Sequence, residues 1–244
     1  MSAVKLEERL IHAIAGLLDG CPHIACGVLS PIPGAAAMLA ARRGGGRVSI
    51  IGSDLPAYRC DGGVELFDQA GQGRVDAFFL SGGQIDGRAN INLHGVGAYP
   101  TMDVRWSGAF GSAYLYMLVP RVILFRLEHS RRVFPEKVDF ISAPGVSAPG
   151  VHRPGGPHAL VTNLCVMRFD RARARFRLAS VHPGVTVEEV RDLTGFDFDE
   201  GETTPETATP SADDLKLIRG EIAAAIANPY PKFAAEVFGV GAAA

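Results

Sequence analysis

Leu6, Leu10, Ile14 and Leu17 recur at three- and four-residue intervals, with Ile11 and Leu18 beside them. That period predicts an amphipathic helix over residues 4–19, with Gly20 placed to cap it. Residues 23–28 read as a short apolar strand. Pro33 then opens an alanine-rich helix that ends at Arg42 and Arg43, cations suited to a helix carboxyl end, before the break at Gly44-Gly45-Gly46. Val48-Ser49-Ile50-Ile51 is too apolar for a strand with one wet face, which predicts a central position. The rhythm returns with a helix over 64–69 and a strand over 75–80. A glycine-rich stretch at 107–113 leads into a short helix over 114–119, then strands over 122–125 and 138–142.

Strands alternating with helices predict an α/β fold with an open, mainly parallel sheet covered by helices. Residues 143–157 form a Pro/Gly loop. Beyond it, two β-rich runs, 159–169 and 175–181, flank the turn Arg171-Ala172-Arg173-Ala174-Arg175, which predicts an antiparallel hairpin. Thr186-Val187-Glu188-Glu189 has capping-box spacing and should start a helix ending near Gly195. Residues 199–210, acidic and rich in Thr and Pro, read as an exposed connection. Ser211-Ala212-Asp213-Asp214 opens a final helix with Leu215, Ile218 and Ile222 on one face. No solenoid-length repeat interrupts the chain, so residues 1–244 are expected to form a single domain.

The 244 residues carry 24 basic and 26 acidic side chains, a formal net charge of −2, with 47% hydrophobic content. This is a globular balance without the basic excess of a nucleic-acid binder. Cys21, Cys26, Cys60 and Cys165 show no paired spacing and no accompanying histidine cluster, so neither a metal site nor disulfides are expected. The charged amino-terminal residues do not fit an export signal, and no stretch reaches the length of a membrane span. A cytoplasmic protein is expected.

Ligands of open parallel sheets bind beyond the carboxyl ends of the strands. That rule points to Gly52-Ser53-Asp54-Leu55-Pro56, Ser81-Gly82-Gly83-Gln84-Ile85-Asp86 and Ser142-Ala143-Pro144-Gly145. Ser107-Gly108-Ala109-Phe110-Gly111-Ser112, before a short helix, has a form suited to holding an anion or oxyanion on backbone N–H groups. Gln84 can present its amide to a carbonyl oxygen or serve as a turn residue. Asp54 is the carboxylate nearest the end of the strand at 48–51, and Cys60 lies eight residues past Gly52. His94, His129 and His182 fit bases or structural side chains, and no nucleophile motif accompanies them.

At these residues the chain resembles the β subunits of the glutaconate CoA-transferase type, within family I of the CoA-transferases. Residues 79–92, Phe-Leu-Ser-Gly-Gly-Gln-Ile-Asp-Gly-Arg-Ala-Asn-Ile-Asn, are similar to that family's Gly-Gly-Ala-Gln-Ile-Asp-x-x-Gly-Asn-x-Asn stretch. Ser107-Gly108-Ala109-Phe110-Gly111-Ser112 follows in the same order, as do residues 128–134 leading to 138–145, and His182-Pro183-Gly184-Val185-Thr186 leading to Thr194-Gly195-Phe196.

The resemblance implies an α-type partner subunit in an α2β2 hetero-oligomer, with coenzyme A entering as part of the substrate and no other cofactor. It also implies a glutamate, in a Val-Glu-Ser-Gly-Leu context, that attacks the acyl-CoA thioester. Here the corresponding residues are Ile51-Gly52-Ser53-Asp54-Leu55, so glycine stands at the nucleophile's position. Asp54 is two residues on, about 6–7 Å further along an extended chain. The family has two branches without transfer chemistry, a steroid-ring hydrolase and a decarboxylase with cysteine in place of the glutamate. The expectation is therefore hydrolytic or decarboxylative carbon–carbon cleavage of a substrate held as its CoA thioester. Gln84 and the backbone of Gly108, Ala109, Phe110 and Gly111 would polarise a carbonyl, with Gly52, Ser53, Gly82 and Gly83 lining the substrate. True CoA transfer through Asp54 is the alternative, and a non-catalytic subunit that stabilises its partner is a third.

Overall fold

Helix α1 (Leu6–Leu17) turns Leu10, Ile11 and Ile14 wholly away from solvent, as its spacing requires. Each such side chain contributes about 1.5–3 kcal/mol of burial free energy. The computed structural model describes residues 3–241, and the chain divides into two compact units, residues 1–79 with 208–244 and residues 80–207. Strand β1 (His23–Cys26) follows α1, and α2 (Pro31–Gly44) starts two residues before Pro33, with Pro31 in its first turn. Ala35, Ala36 and Ala37 are fully buried on α2, and their small side chains let α1 pack close.

Strand β2 (Arg47–Ile51) runs parallel to β1 on one side and to the two-residue β3 (Arg59–Cys60) on the other. Val48, Ser49 and Ile50 are buried, as a strand with neighbours on both edges demands. Helix α3 (Val64–Gly71) leads to β4 (Ala77–Leu80), again parallel to β1. Every strand pair of this unit is parallel, the arrangement that the alternating elements predict.

The second unit opens with two short hairpins. Strand β5 (Gln84–Ile85) pairs with β6 (Ile91–Asn92), and β7 (Gly95–Val96) with β8 (Val104–Arg105). Helix α4 (Ser112–Leu118) precedes β9 (Arg121–Arg126). Strand β10 (Pro157–Thr162) lies parallel to β9, whereas β11 (Cys165–Asp170) and β12 (Arg175–Val181) continue the ladder antiparallel. The hairpin across residues 171–174 is as expected, and α5 (Val187–Leu193) starts where Thr186 accepts the Glu189 N–H at 3.1 Å.

The chain then returns to the first unit. Helix α6 (Ala212–Leu217) has Ser211 and Asp214 in a reciprocal capping box, and passes through a π-turn (Ile218–Ile222) into α7 (Ala223–Ile226). Bidentate Arg219–Glu8 contacts at 2.5 and 2.9 Å fix this stretch to α1.

Four readings of the sequence need correction. Residues 138–142 are not a strand. The Asp139 N–H goes to the side-chain oxygen of Gln84, and ladder bonding is limited to the bridge between Ala143 and Ile91. Residues 159–169 are two strands, because Thr162 Oγ1 accepts the N–H groups of Leu164 and Cys165 and reverses the chain. The connection 199–210 is not wholly exposed. Asp199 and Glu206 bridge to Arg177 and Val181, and Thr207 is buried. The helix opened at Ser211 is not the last, since α8 (Pro231–Phe238) follows with proline in its first turn.

Candidate functional site

At the carboxyl end of β2, Gly52 has φ +89°, a conformation that side-chain-bearing residues rarely adopt, and no atom lies within 4 Å of where a Cβ would stand. The position expected to hold the family's nucleophile is open space. Ser53 turns inward, its N–H bonded to the Ile50 carbonyl and its hydroxyl to Asn228 Oδ1 at 3.2 Å. The same Asn228 oxygen accepts the Asp54 N–H at 2.8 Å, so one side chain between α7 and α8 holds the loop. The Asp54 residue is exposed. Cys60 is buried and gives its thiol to the Asp61 carbonyl. Burial first, and the nearby Glu65 charge second, push that thiol up in pKa, away from the reactive thiolate. A cleft of about 550 Å³ lined by Pro56, Arg59, Cys60, Asp61 and Glu65 lies beside it, and Gly52 does not line this cleft.

The stretch 82–92 in the second unit is a hairpin whose polar side chains bond one another. Gln84 is buried. Its Oε1 accepts Asn92 Nδ2 at 2.7 Å and the Asp139 N–H at 3.0 Å, while its Nε2 donates to Asp139 Oδ2 at 3.1 Å. The second Nε2 proton has no acceptor among the described residues. Asn92, fully buried, donates also to the Gly95 carbonyl and accepts the His94 N–H. Asp86 holds the turn by accepting the N–H groups of Arg88 and Asn90 and the Asn90 amide. Gly83 lies under Trp106, where any Cβ would sit 2.1 Å from the indole. Gly82 is similarly tight, its absent Cβ position 2.7 Å from Ile91. These two glycines are therefore packing positions as well as loop residues.

Trp106 leads directly into the glycine loop. Gly108 has φ +100°, Phe110 has φ +42° and is 89% exposed, and Gly111 precedes α4. The N–H groups of Gly108 and Ala109 find no acceptor among the described residues, while the Ser112 N–H bonds back to the Ala109 carbonyl. The buried Ser112 hydroxyl also has no partner among the described residues.

Two of the three histidines singled out from the sequence are structural. Thr194 Oγ1 donates to the Val190 carbonyl, so it accepts from His129 Nε2–H, and Thr162 faces Nδ1. Burial holds His129 neutral, its pKa pushed down to about 4. His182 is likewise engaged at both nitrogens, by Thr207 and the Thr162 carbonyl. His94 is different: only its Nδ1 is held, by the Ser142 hydroxyl at 2.6 Å, and it is half-buried.

Gly52, Ser53 and Asp54 belong to the first unit, and Gln84, Gly82, Gly83 and the 108–111 loop to the second. Asn92, Asp139 and Asn228 were not singled out from the sequence. The first lies within the signature stretch and was legible there. Asp139 was hidden by the strand reading of 138–142, and Asn228 carries no local signal. Among the described residues no group of histidine, cysteine or acidic side chains could hold a metal ion, and no helix is long and apolar enough to cross a membrane.

The family described as coenzyme A transferase matches residues 38–193. The chain is 37% identical over 153 residues to the β subunit of 3-oxoadipate CoA-transferase from Pseudomonas knackmussii, covering 60% of this chain and 58% of that protein. It is 32% identical over 151 residues to the β subunit of glutaconate CoA-transferase from Acidaminococcus fermentans, covering 59% and 56%. The match thus spans less than two thirds of either relative. Among solved structures, Rhodococcus jostii RHA1 IpdAB superposes with a TM-score of 0.78 at 25% identity, covering 90% of this chain and 94% of that one. The resemblance read from residues 79–92 and the α/β fold class are both borne out.

Proposed function

Because the chain belongs to the coenzyme A transferase family, we propose that it is the β-type subunit of a heteromeric acyl-CoA enzyme that cleaves its substrate by hydrolysis or decarboxylation rather than by CoA transfer. The observation that carries this reading is Gly52. Transfer through an anhydride needs a carboxylate within bonding reach of the thioester carbon, and Gly52 offers none. An α-type subunit completes the assembly, as α2β2, and coenzyme A enters as part of the substrate with no further cofactor.

In this reading the β-type chain stabilises negative charge instead of forming a bond. The free Gln84 amide proton and the open N–H groups of Gly108 and Ala109 are donors of the kind that hold an enolate or oxyanion. Gly52 presents backbone without bulk. One observation favours a rival: Asp54 is an exposed carboxylate two residues past Gly52, on a loop pinned by Asn228. Through Asp54 the enzyme would be a true CoA-transferase.

The test is co-expression with the α-type partner and incubation with acyl-CoA thioesters in ¹⁸O-labelled water. Label in a new carboxylate reports hydrolysis, and released carbon dioxide reports decarboxylation. Passage of CoA to an added carboxylic acid, without label, would overturn the reading in favour of the transferase.

A further inference from the structure

Hydrolysis without an enzyme nucleophile needs a base for water, and the second unit holds a histidine set up for that task. His23, His129 and His182 are buried with both ring nitrogens engaged. His158 has its Nε2 against Arg168, and His12 shares Arg43 and Asp214. His12 and His158 each have one engaged nitrogen too, but against charged groups, whereas the anchor of His94 is neutral: its Nδ1 lies 2.6 Å from Ser142 Oγ, and its Nε2 has no partner among the described residues.

The hydroxyl that holds it is itself fixed. Ser142 Oγ accepts the Leu93 N–H at 2.8 Å, and the Ser142 N–H bonds to the Ile91 carbonyl at 2.8 Å. The ring rests against Phe140, with centroids 4.4 Å apart. The His94 backbone is tied at both ends, its N–H to Asn92 Oδ1 and its carbonyl to the Trp106 N–H. These are the residues that grip Gln84 and cover Gly83. An oriented imidazole, one nitrogen anchored and the other open, is the arrangement of a general base.

We propose that His94 is the general base of the hydrolytic reaction and that Ser142 is its positioning residue, an inference that rests on the acyl-CoA reading above. Nδ1–H donates to Ser142 Oγ, which leaves the Nε2 lone pair free. Nε2 takes a proton from water as the water oxygen bonds to a carbonyl carbon of a 1,3-dicarbonyl thioester, and the carbonyl π pair moves to oxygen. When that pair re-forms the C=O, the adjacent carbon–carbon bond breaks. The departing carbon takes the Nε2 proton, which restores neutral His94. One water is consumed and no oxidant is needed.

The experiment uses the co-expressed complex. His94→Gln should lower kcat by about 10²–10⁴-fold, the usual contribution of general-base catalysis, with KM little changed. His94→Gly should regain turnover when imidazole is added. Ser142→Ala should cost about tenfold in kcat, and Ser142→Thr, which keeps the hydroxyl, should restore most of it. A readout independent of turnover is carbethoxylation by diethyl pyrocarbonate, mapped by mass spectrometry. His94 should modify ahead of the buried histidines, and more slowly in Ser142→Ala. Wild-type turnover that survives His94→Gln overturns the proposal. So does an unreactive His94, even in a complex that hydrolyses nothing, in which case the acyl-CoA reading fails separately.

Discussion

The loop after β2 and the hairpins of residues 82–106 stand in contrast. The hairpins are densely bonded: Gln84, Asn92, Asp139, Asp86 and Asn90 satisfy one another, and most of their polar atoms are used within the chain. The β2 loop is nearly bare. It has an empty glycine, one inward serine, one exposed aspartate and a single clamp from Asn228. A buried polar network holds its geometry only when it is complete, and a half-paired one costs more than none. On the proposed reading, this contrast gives the subunit a share in charge stabilisation and proton handling rather than in bond formation.

After His94, the largest effect expected from this contrast is at Gln84. Gln84→Ala should lower turnover of the complex by about 10²–10³-fold, the usual cost of one oxyanion donor, with a smaller change in KM. Steady-state kinetics checks this, and an unchanged rate would reduce Gln84 to a turn residue.

Outside the hairpins, His129 is also bonded at both ring nitrogens, to Thr162 and Thr194. Its folded pKa is about 4, below the ordinary value of 6.5, and burial is the cause. Because the unfolded chain binds the proton more readily, the stability contributed by neutral His129 is complete above about pH 6.5. It is lost as the pH falls toward 4, a decline of about 3 kcal/mol. Urea unfolding of the complex across that range measures it. A flat profile in wild type, indistinguishable from His129→Gln, would contradict the assignment.

On the bare side the effects should be smaller. Asn228→Ala leaves the Ser53 hydroxyl and the Asp54 N–H without their acceptor and should cost about 1–2 kcal/mol of stability. Asp54→Asn should change turnover by less than about threefold. Loss of activity there would make the bare loop the reactive one. A single unfolding transition would support one cooperative domain over residues 1–244, whereas two separate transitions would make the two compact units domains.

Much of the fold was legible because burial imposes period on sequence. The face of α1 and the doubly buried β2 could be read from Leu10, Ile11, Ile14, Val48 and Ile50 alone. The errors fall where side chains replace backbone as partners. Thr162 splits one apparent strand into β10 and β11, and Gln84 takes the donor that a strand at Asp139 would have used. The vacancy at Gly52 was visible because the family places a glutamate there. The Asn228 clamp was not, since it joins residues 174 and 175 positions apart in sequence. No local pattern reports such a contact.

The central claim is that this subunit forms no covalent bond with its substrate. Intact-mass measurement of the working complex, with borohydride trapping of any acyl or CoA thioester, tests it directly. An unmodified chain beside accumulating product is the expected result. A CoA-sized adduct mapped to Asp54, abolished together with activity in Asp54→Asn, would contradict it and restore transferase chemistry.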